Sequence, residues 1–148
     1  MIRSLLISII LISSLYSKEY KALFDCSSSD AQYIKSRMWL IKKTKSMIEE
    51  NGDKATFAIT LHGSCVAMVS SFYETIIPDE DMKDIKKAQE YLKVLATEHN
   101  VAVKVCAMSL LSNAIDKEDV LKFVTIVPNS FIDTIGYQND GYALMVFE

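Results

Sequence analysis

Apolar and polar residues form successive blocks along this chain, and the blocks predict a regular succession of strands and helices. Five short apolar runs, rich in β-branched and aromatic residues and bounded by turn-forming residues, are typical of β-strands. They cover residues 20–26, 55–61, 101–105, 123–127 and 142–147. The second run is apolar almost throughout, which favours a strand buried on both faces of a sheet.

The segments between these runs carry the periodicity of helices. In residues 31–50, four apolar side chains recur at helical spacing and mark one face of a helix: Ile34, Met38, Ile41 and Ile48. Residues 82–95 repeat that pattern, and shorter helices are predicted to begin at residue 107 and to cover 116–122 and 131–137. Residues 66–77 are apolar but fit either a short helix or an extended segment.

Strands that alternate with helices predict an α/β fold, because parallel neighbouring strands need a crossover between them. We therefore expect a five-stranded, mostly parallel sheet with helices on both faces, layered as in flavodoxin-like and Rossmann-like domains. The sequence leaves the order of the strands in the sheet open.

The first 17 residues have the pattern of a secretory signal peptide rather than of a folded element. Arg3 supplies a positive charge, residues 5–12 are an apolar stretch too short to span a bilayer, and Ser17 is a small residue at a candidate cleavage point. We expect export, cleavage after Ser17, and one domain over residues 18–148 in the periplasm. An uncleaved anchor or a first core strand is the alternative interpretation of this stretch.

Composition narrows the classes of function. A chain of 148 residues fits one domain, and its net charge of −3 comes without a block of basic residues. Nucleic-acid binding usually leaves a clustered basic face, so the sequence argues against it. After removal of the leader, no segment predicts contact with a membrane.

Residues 100–115 are the most informative stretch, because a buried strand there runs into a helical turn at Cys106. In open α/β sheets, ligands bind at the carboxyl ends of the strands. The N–H groups at the start of a helix also lower the pKa of a nearby thiol, and a strand-end loop gives steric access to it. The plainer interpretation of Cys106 is a small buried hydrophobic residue.

Three cysteines, Cys26, Cys65 and Cys106, leave at least one thiol unpaired within the chain. An oxidising compartment would favour a disulfide between two of them. Their spacing matches no zinc site, and no motif predicts an organic cofactor. If the strands are parallel, all three cysteines and His62 lie at one rim of the sheet, and strand order decides which of them touch.

Several of these segments resemble the DsrE/DsrF-like sulfur-relay family, and most closely its small secreted members. The similarity covers most of the chain after the leader. It is carried by His62-Gly63, by residues 100–110 with Cys106, by Val127-Pro128, and by Gln138 with Gly141-Tyr142. The chain departs from the family pattern at Met108-Ser109, where secreted relatives often have Asn-Thr, and at Ser130, where many have Gly.

The resemblance implies a five-stranded α/β fold, assembly into oligomers, and a persulfide carried on Cys106 without metal or cofactor. His62 is then a candidate partner of the thiolate, through a charge-assisted hydrogen bond or proton exchange. The plainer interpretation of His62 is a residue that positions its loop. Cys65 is a candidate resolving thiol for Cys106 or a packing residue, and Cys26 is expected to end its strand in the core.

Three functions from different classes follow. The chain is a secreted sulfur carrier or sulfurtransferase that exchanges sulfur with a donor or acceptor protein. Alternatively, it is a non-catalytic module that binds a small ligand at the same rim, or an assembly subunit that buries residues 66–77 against a partner. We expect a homo-oligomer, because that segment holds several large apolar side chains: Phe72, Tyr73, Ile76 and Ile77.

Overall fold

The computed structural model describes residues 17–148, which form five strands and four α-helices. The strands are β1 (Glu19–Cys26), β2 (Lys54–Leu61), β3 (Ala102–Cys106), β4 (Thr125–Val127) and β5 (Ala143–Phe147). The helices are α1 (Ala31–Glu50), α2 (Met82–Thr97), α3 (Ala107–Ser112) and α4 (Ser130–Asn139). The predicted signal peptide lies outside the described residues except for Ser17.

The strand order in the sheet is β4-β3-β2-β1-β5, and all four pairings are parallel. This confirms the predicted five-stranded parallel α/β fold and supplies the strand order that the sequence left open. Because every strand points the same way, the carboxyl ends of all five meet at one rim. Within residues 17–148, no helix combines the length and the apolar character needed to cross a bilayer.

Helices α1 and α2 pack against each other and against one face of the sheet, where they enclose the main hydrophobic core. The apolar face predicted for α1 is buried, since Ile34, Met38 and Ile41 are each at most 3% exposed. The strands contribute large apolar side chains to the same core: Phe57, Ile59, Leu61, Val103 and Val105. Asp30 caps the start of α1, and its side chain accepts from the N–H of Tyr33 over 2.8 Å.

The opposite face of the sheet carries a row of polar side chains. Asp25, Thr60 and Lys104 lie in register on β1, β2 and β3 and point away from the core, because side chains alternate along a strand. Asp25 is 9% exposed and Thr60 is fully buried. The hydroxyl of Thr60 donates to Oδ1 of Asp25 over 2.5 Å. Lys104 forms an ion pair with Asp133 of α4, which places α4 over this polar face.

Helix α4 turns polar side chains toward the sheet and apolar ones toward solvent. Besides its pair with Asp133, the Nζ atom of Lys104 lies 4.8 Å from the centroid of the Tyr137 ring. On the outer side, the exposed fractions of three side chains are 63%, 67% and 62%, and we call them the α4 apolar surface: Phe131, Ile132 and Ile135. Clusters of exposed apolar residues mark interaction surfaces.

Residues 66–77 differ from the interface segment that the sequence predicted. Gly63–Val69 form a 3₁₀ helix whose large apolar side chains are buried in the core. Phe72 and Ile76 are exposed, whereas Tyr73 is buried. The interface prediction is therefore wrong for the residues that the core buries, because an irregular apolar stretch has no period that separates core from surface. For the exposed Phe72 and Ile76 it stays a prediction. The helix predicted over 116–122 is likewise only a 3₁₀ turn, Lys117–Asp119.

Candidate functional site

The carboxyl ends of β1, β2 and β3 bring the predicted site residues to one rim of the sheet. Cys26 and Cys106 are the last residues of β1 and β3. His62 directly follows β2, and Cys65 lies in the 3₁₀ helix after it. The predicted placement of all four residues at one rim is confirmed. The structure divides them into a thiol site around Cys106 and a disulfide beside it.

Cys106 joins β3 to α3 and is the free cysteine of the chain. It ends the strand in an extended conformation, with φ −74° and ψ 119°, and α3 begins at the next residue. The residue is only 4% exposed, so the predicted steric access of the thiol is wrong for this conformation. The start of α4 contacts the sulfur through Ser130, an element that the strand-end argument did not include.

Two serines control the ionisation of Cys106. Burial raises the pKa of the thiol, but hydrogen bonds from the backbone and side chains of Ser130 and Ser109 outweigh burial and lower the pKa from 9.0 to about 7. Ser130 opens α4, and Ser109 lies in the first turn of α3. N–H groups at the start of a helix have no partner within that helix, and here they stabilise a thiolate.

Sequence reasoning missed both serines as site residues. They occupy the positions, 109 and 130, at which the chain departs from the pattern of the family it resembles. That departure was the signal that could have identified them.

His62 lies on the polar face of the sheet, at the end of β2. Its Nε2 atom is 3.3 Å from Oδ2 of Asp25. Its ring meets the ring of Phe131 edge-on, with the centroids 5.9 Å apart. The structure therefore pairs His62 with a buried carboxylate, while the hydrogen bonds to the Cys106 sulfur come from the two serines.

Gly63 couples the end of β2 to the first turn of α3. Its N–H donates to the Ser109 hydroxyl over 3.0 Å, and its carbonyl accepts from the side-chain amide of Asn113 over 3.1 Å. Its φ of +53° is the left-handed conformation that glycine adopts without strain. A Cβ at this position would also approach the carbonyl oxygen of Ser27 to 3.4 Å. The His62-Gly63 step thus supports the serine that contacts the thiol.

Cys65 forms a disulfide with Cys26, and the two Cα atoms are 5.9 Å apart. Both residues are fully buried. The proposed role of Cys65 as a resolving thiol for Cys106 is therefore wrong in this structure, because its sulfur is already bonded. The physical reason is the face of the sheet. Cys26 and Cys65 both lie in the hydrophobic core, whereas Cys106, two residues after Lys104, lies on the opposite, polar face. Among residues 17–148, no three side chains of His, Cys, Asp or Glu are grouped to hold a metal ion.

A groove of about 400 Å³ lies elsewhere, between α1 and the strands β1 and β5. Its wall is mostly apolar and includes Phe24, Phe57 and Met145, while Arg37 and Lys21 supply positive charge. The serines that contact the thiol do not line it. Groove and thiol are therefore separate features of the molecule.

Comparisons with known proteins agree with this architecture. The sequence model of the DsrE/DsrF-like family matches residues 21–147. An uncharacterised protein of Aquifex aeolicus (strain VF5) is 36% identical over 133 residues, which cover 90% of this chain and 58% of that protein. The chain thus spans little more than half the length of this relative. The solved structure of a protein of unknown function from Methanobacterium thermoautotrophicum matches with a TM-score of 0.64 at 15% identity, over 86% of this chain and 99% of that one. At that identity, the likeness shows the fold alone.

Proposed function

The chain belongs to the DsrE/DsrF-like family, and from that premise we propose that it is a sulfur carrier or sulfurtransferase that holds sulfur as a persulfide on Cys106. The observation that carries the proposal is the free thiol at the sheet rim whose pKa is lowered to about 7. A thiolate is the species that attacks sulfur, and this pKa makes about half of the thiol ionised at neutral pH.

The chemistry needs no metal and no organic cofactor. In loading, the Cys106 thiolate attacks the outer sulfur of a donor persulfide, R–S–SH. The new bond forms Cys106–S–SH, and the old sulfur–sulfur bond breaks to release R–S⁻. In discharge, an acceptor thiolate attacks the outer sulfur of Cys106–S–SH and leaves Cys106 as a thiolate. The hydrogen bonds from Ser109 and Ser130 stabilise Cys106 as the attacking group in the first step and as the leaving group in the second.

Access to the thiol is part of the mechanism, because Cys106 is 4% exposed. The two helices that begin beside the thiol, α3 and α4, each have an exposed side chain in their first turn. Met108 of α3 and Phe131 of α4 are each 63% exposed. Few buried contacts hold such side chains, so a small displacement of the starts of α3 and α4 would open the thiol to a donor. We therefore expect sulfur to load onto Cys106 more slowly than onto an exposed thiol of the same pKa.

The proposal includes export to the periplasm and assembly into a homo-oligomer. Residues 1–17 and the disulfide between Cys26 and Cys65 both suit an oxidising compartment. The α4 apolar surface lies next to the thiol site and is the candidate contact between copies. A donor or acceptor protein would dock at the same rim.

Intact mass and peptide mapping test the carrier function. The purified chain is incubated with a small persulfide as sulfur donor, freed of excess reagent, and weighed before and after treatment with reductant. We expect a gain of one sulfur atom that maps to Cys106, disappears on reduction, and is absent in Cys106→Ser. Uptake of the same amount of sulfur by Cys106→Ser, or no uptake by the wild type, would overturn the proposal.

A non-catalytic ligand-binding module is the second candidate, and the groove between α1 and β1/β5 favours it. That groove combines an apolar wall with the positive charges of Arg37 and Lys21, which suits a small apolar molecule that bears a negative charge. A fluorescent fatty acid titrated into the protein tests this alternative. Saturable binding that Arg37→Gln weakens, in a protein that takes up no sulfur, would establish it in place of the carrier.

A further inference from the structure

We propose that His62 exchanges protons with the thiols that bring sulfur to Cys106 and take it away, and that Asp25 is the residue that positions its imidazole. This inference rests on the proposed carrier function and adds to it the group that handles protons. It follows from the placement of three residues on neighbouring strands at the sheet rim.

His62 and Cys106 are neighbours at the ends of adjacent strands. Leu61 pairs with Val105 in the register of β2 and β3, and His62 and Cys106 are the next residue on each strand. Parallel strands lie about 4.8 Å apart, so these two positions are side by side. Both side chains point to the polar face, because each follows a residue that points into the core, Leu61 on β2 and Val105 on β3.

The first turn of α4 provides independent support for this proximity. Phe131 packs edge-on against the His62 ring, and the preceding residue, Ser130, hydrogen-bonds the Cys106 sulfur. Two consecutive residues of one helix therefore contact the imidazole and the thiol. A thiol that reaches Cys106 through an opening beside this turn would pass close to His62.

Asp25 holds the imidazole in one orientation. Its side chain is 12% exposed; Oδ1 accepts from the buried hydroxyl of Thr60, and Oδ2 lies 3.3 Å from Nε2 of His62. The nearby cation Lys104 is paired with Asp133 instead. A buried carboxylate needs hydrogen-bond partners, and here the Thr60 hydroxyl and the His62 ring supply them.

This geometry fixes the roles of the two ring nitrogens. When Nε2–H donates to Asp25, the neutral imidazole presents Nδ1 as an acceptor, and a proton taken up there gives an imidazolium beside the carboxylate. Asp25 thereby selects the tautomer without itself contacting a sulfur atom. It is a positioning residue.

In the carrier cycle, His62 then takes up one proton during discharge and returns it during loading. In discharge, Nδ1 accepts the proton of an acceptor R–SH while its sulfur attacks Cys106–S–SH, which gives R–S–SH, the Cys106 thiolate and an imidazolium. In loading, the thiolate attacks the donor R′–S–SH, and the departing R′–S⁻ takes the proton from the imidazolium. One proton, one sulfur atom and no net electrons pass through the site in each cycle.

Discharge kinetics with thiols of different acidity test this proposal. Cys106 is loaded from a small persulfide, and transfer at pH 7 is measured to a series of small thiols that are either protonated or already ionised at that pH. For protonated thiols, we expect His62→Gln to slow transfer about 100-fold, and for ionised thiols to leave it within about twofold of the wild type. Asp25→Asn should show a loss of the same kind.

The matched control is His99→Gln, which removes the other histidine of the chain, after the end of α2 and before β3. It should discharge to both classes of thiol at the wild-type rate. Equal losses with protonated and ionised thiols in His62→Gln would mean a structural role, and wild-type rates with both would mean no role. If the wild type takes up no sulfur, the carrier function itself is wrong. That result is distinct from a result that excludes only the role of His62.

The tautomer supplies a second measurement that needs no sulfur donor. The ring ¹⁵N shifts of His62 in the wild type should show the neutral form protonated at Nε2, and Asp25→Asn should lose that preference. A neutral ring protonated at Nδ1 in the wild type would overturn the positioning role of Asp25.

Discussion

The reactivity of the Cys106 thiol depends on two serines, from helices that are distant in the sequence, whose backbone N–H groups and hydroxyls both act on the sulfur. Ser109 follows the cysteine within one turn, whereas Ser130 arrives only after the chain has formed β4 and returned across the rim. Both donate to the sulfur, and their combined effect exceeds that of burial, which acts in the opposite direction. Small changes at either serine should therefore move the ionisation of the thiol.

Removal of both hydroxyls tests that dependence. In Ser109→Ala/Ser130→Ala, we expect the pKa of Cys106 to rise from about 7 toward the ordinary 9.0. The backbone N–H groups remain in this variant and contribute more than the hydroxyls, so the rise is partial. Alkylation at pH 7 should slow by roughly threefold, while the rate above pH 10 stays unchanged. The measurement is the rate of iodoacetamide alkylation against pH.

Ser112→Ala is the control for the serine variants. Its hydroxyl donates to the carbonyl of Ser109 over 3.1 Å and contributes no hydrogen bond to the thiol. Its pH profile should match that of the wild type. An unchanged midpoint in the double alanine variant would show that the backbone N–H groups alone set the pKa.

The glycine at the end of β2 is a second residue with a specific role. Gly63→Ala should lower the free energy of unfolding by about 1–2 kcal/mol, because φ is +53° there and the Cβ of an alanine is strained in the left-handed conformation. Gly136 lies within α4, where an added Cβ would meet nothing within 4 Å. Gly136→Ala should therefore raise the free energy of unfolding by about 0.5–1 kcal/mol, because alanine favours a helix over glycine. Urea unfolding of the wild type and the two variants measures whether the two changes in the free energy of unfolding have opposite signs. Shifts in the same direction would contradict this account.

At the scale of elements, the disulfide ties the end of β1 to the 3₁₀ helix after β2. It closes a loop with a sequence separation of 39, and such a link should stabilise the fold by about 4 kcal/mol by restricting the unfolded chain. We therefore expect reductant to lower the urea midpoint of the wild type. Cys26→Ala/Cys65→Ala should unfold at the same urea concentration with or without reductant. A wild type that does not respond to reductant would mean that the bond does not form.

The elements that the sequence predicted well are those whose pattern is local. The apolar face of α1 follows from a period within twenty residues, and its predicted bounds agree with Ala31–Glu50. The placement of Cys106 at a strand-to-helix junction is equally local. Contacts that depend on strand order could not be predicted in this way: the pairing of Cys26 with Cys65, the approach of Ser130 to the thiol, and the link between Asp25 and His62 all join separate strands or helices.

At the scale of the whole molecule, helix α4 leaves its apolar side uncovered. We expect a homo-oligomer in which this surface is the contact, so Ile132→Glu/Ile135→Glu should shift the protein toward monomer by placing charges in the interface. Light scattering at several concentrations measures the mass. The side chain of Phe72 has a comparable exposed fraction, 58%, but is not part of the α4 apolar surface.

Phe72→Glu is accordingly the matched control and should leave the mass unchanged. A wild type that is monomeric at high micromolar concentration would contradict the expected assembly. Dissociation caused by Phe72→Glu alone would place the contact on the other side of the molecule.

The strand order also dictates when the sheet can be completed. β1 and β5 come from opposite ends of the described chain, yet they pair along five residues of β1. Contacts between distant segments form slowly, because the intervening chain must first be organised. β5 is therefore expected to dock after β1 to β4 have assembled. Until β5 docks, one edge of β1 has unpaired backbone groups. We therefore expect that misfolding occurs through pairing of this edge with β5 of another molecule.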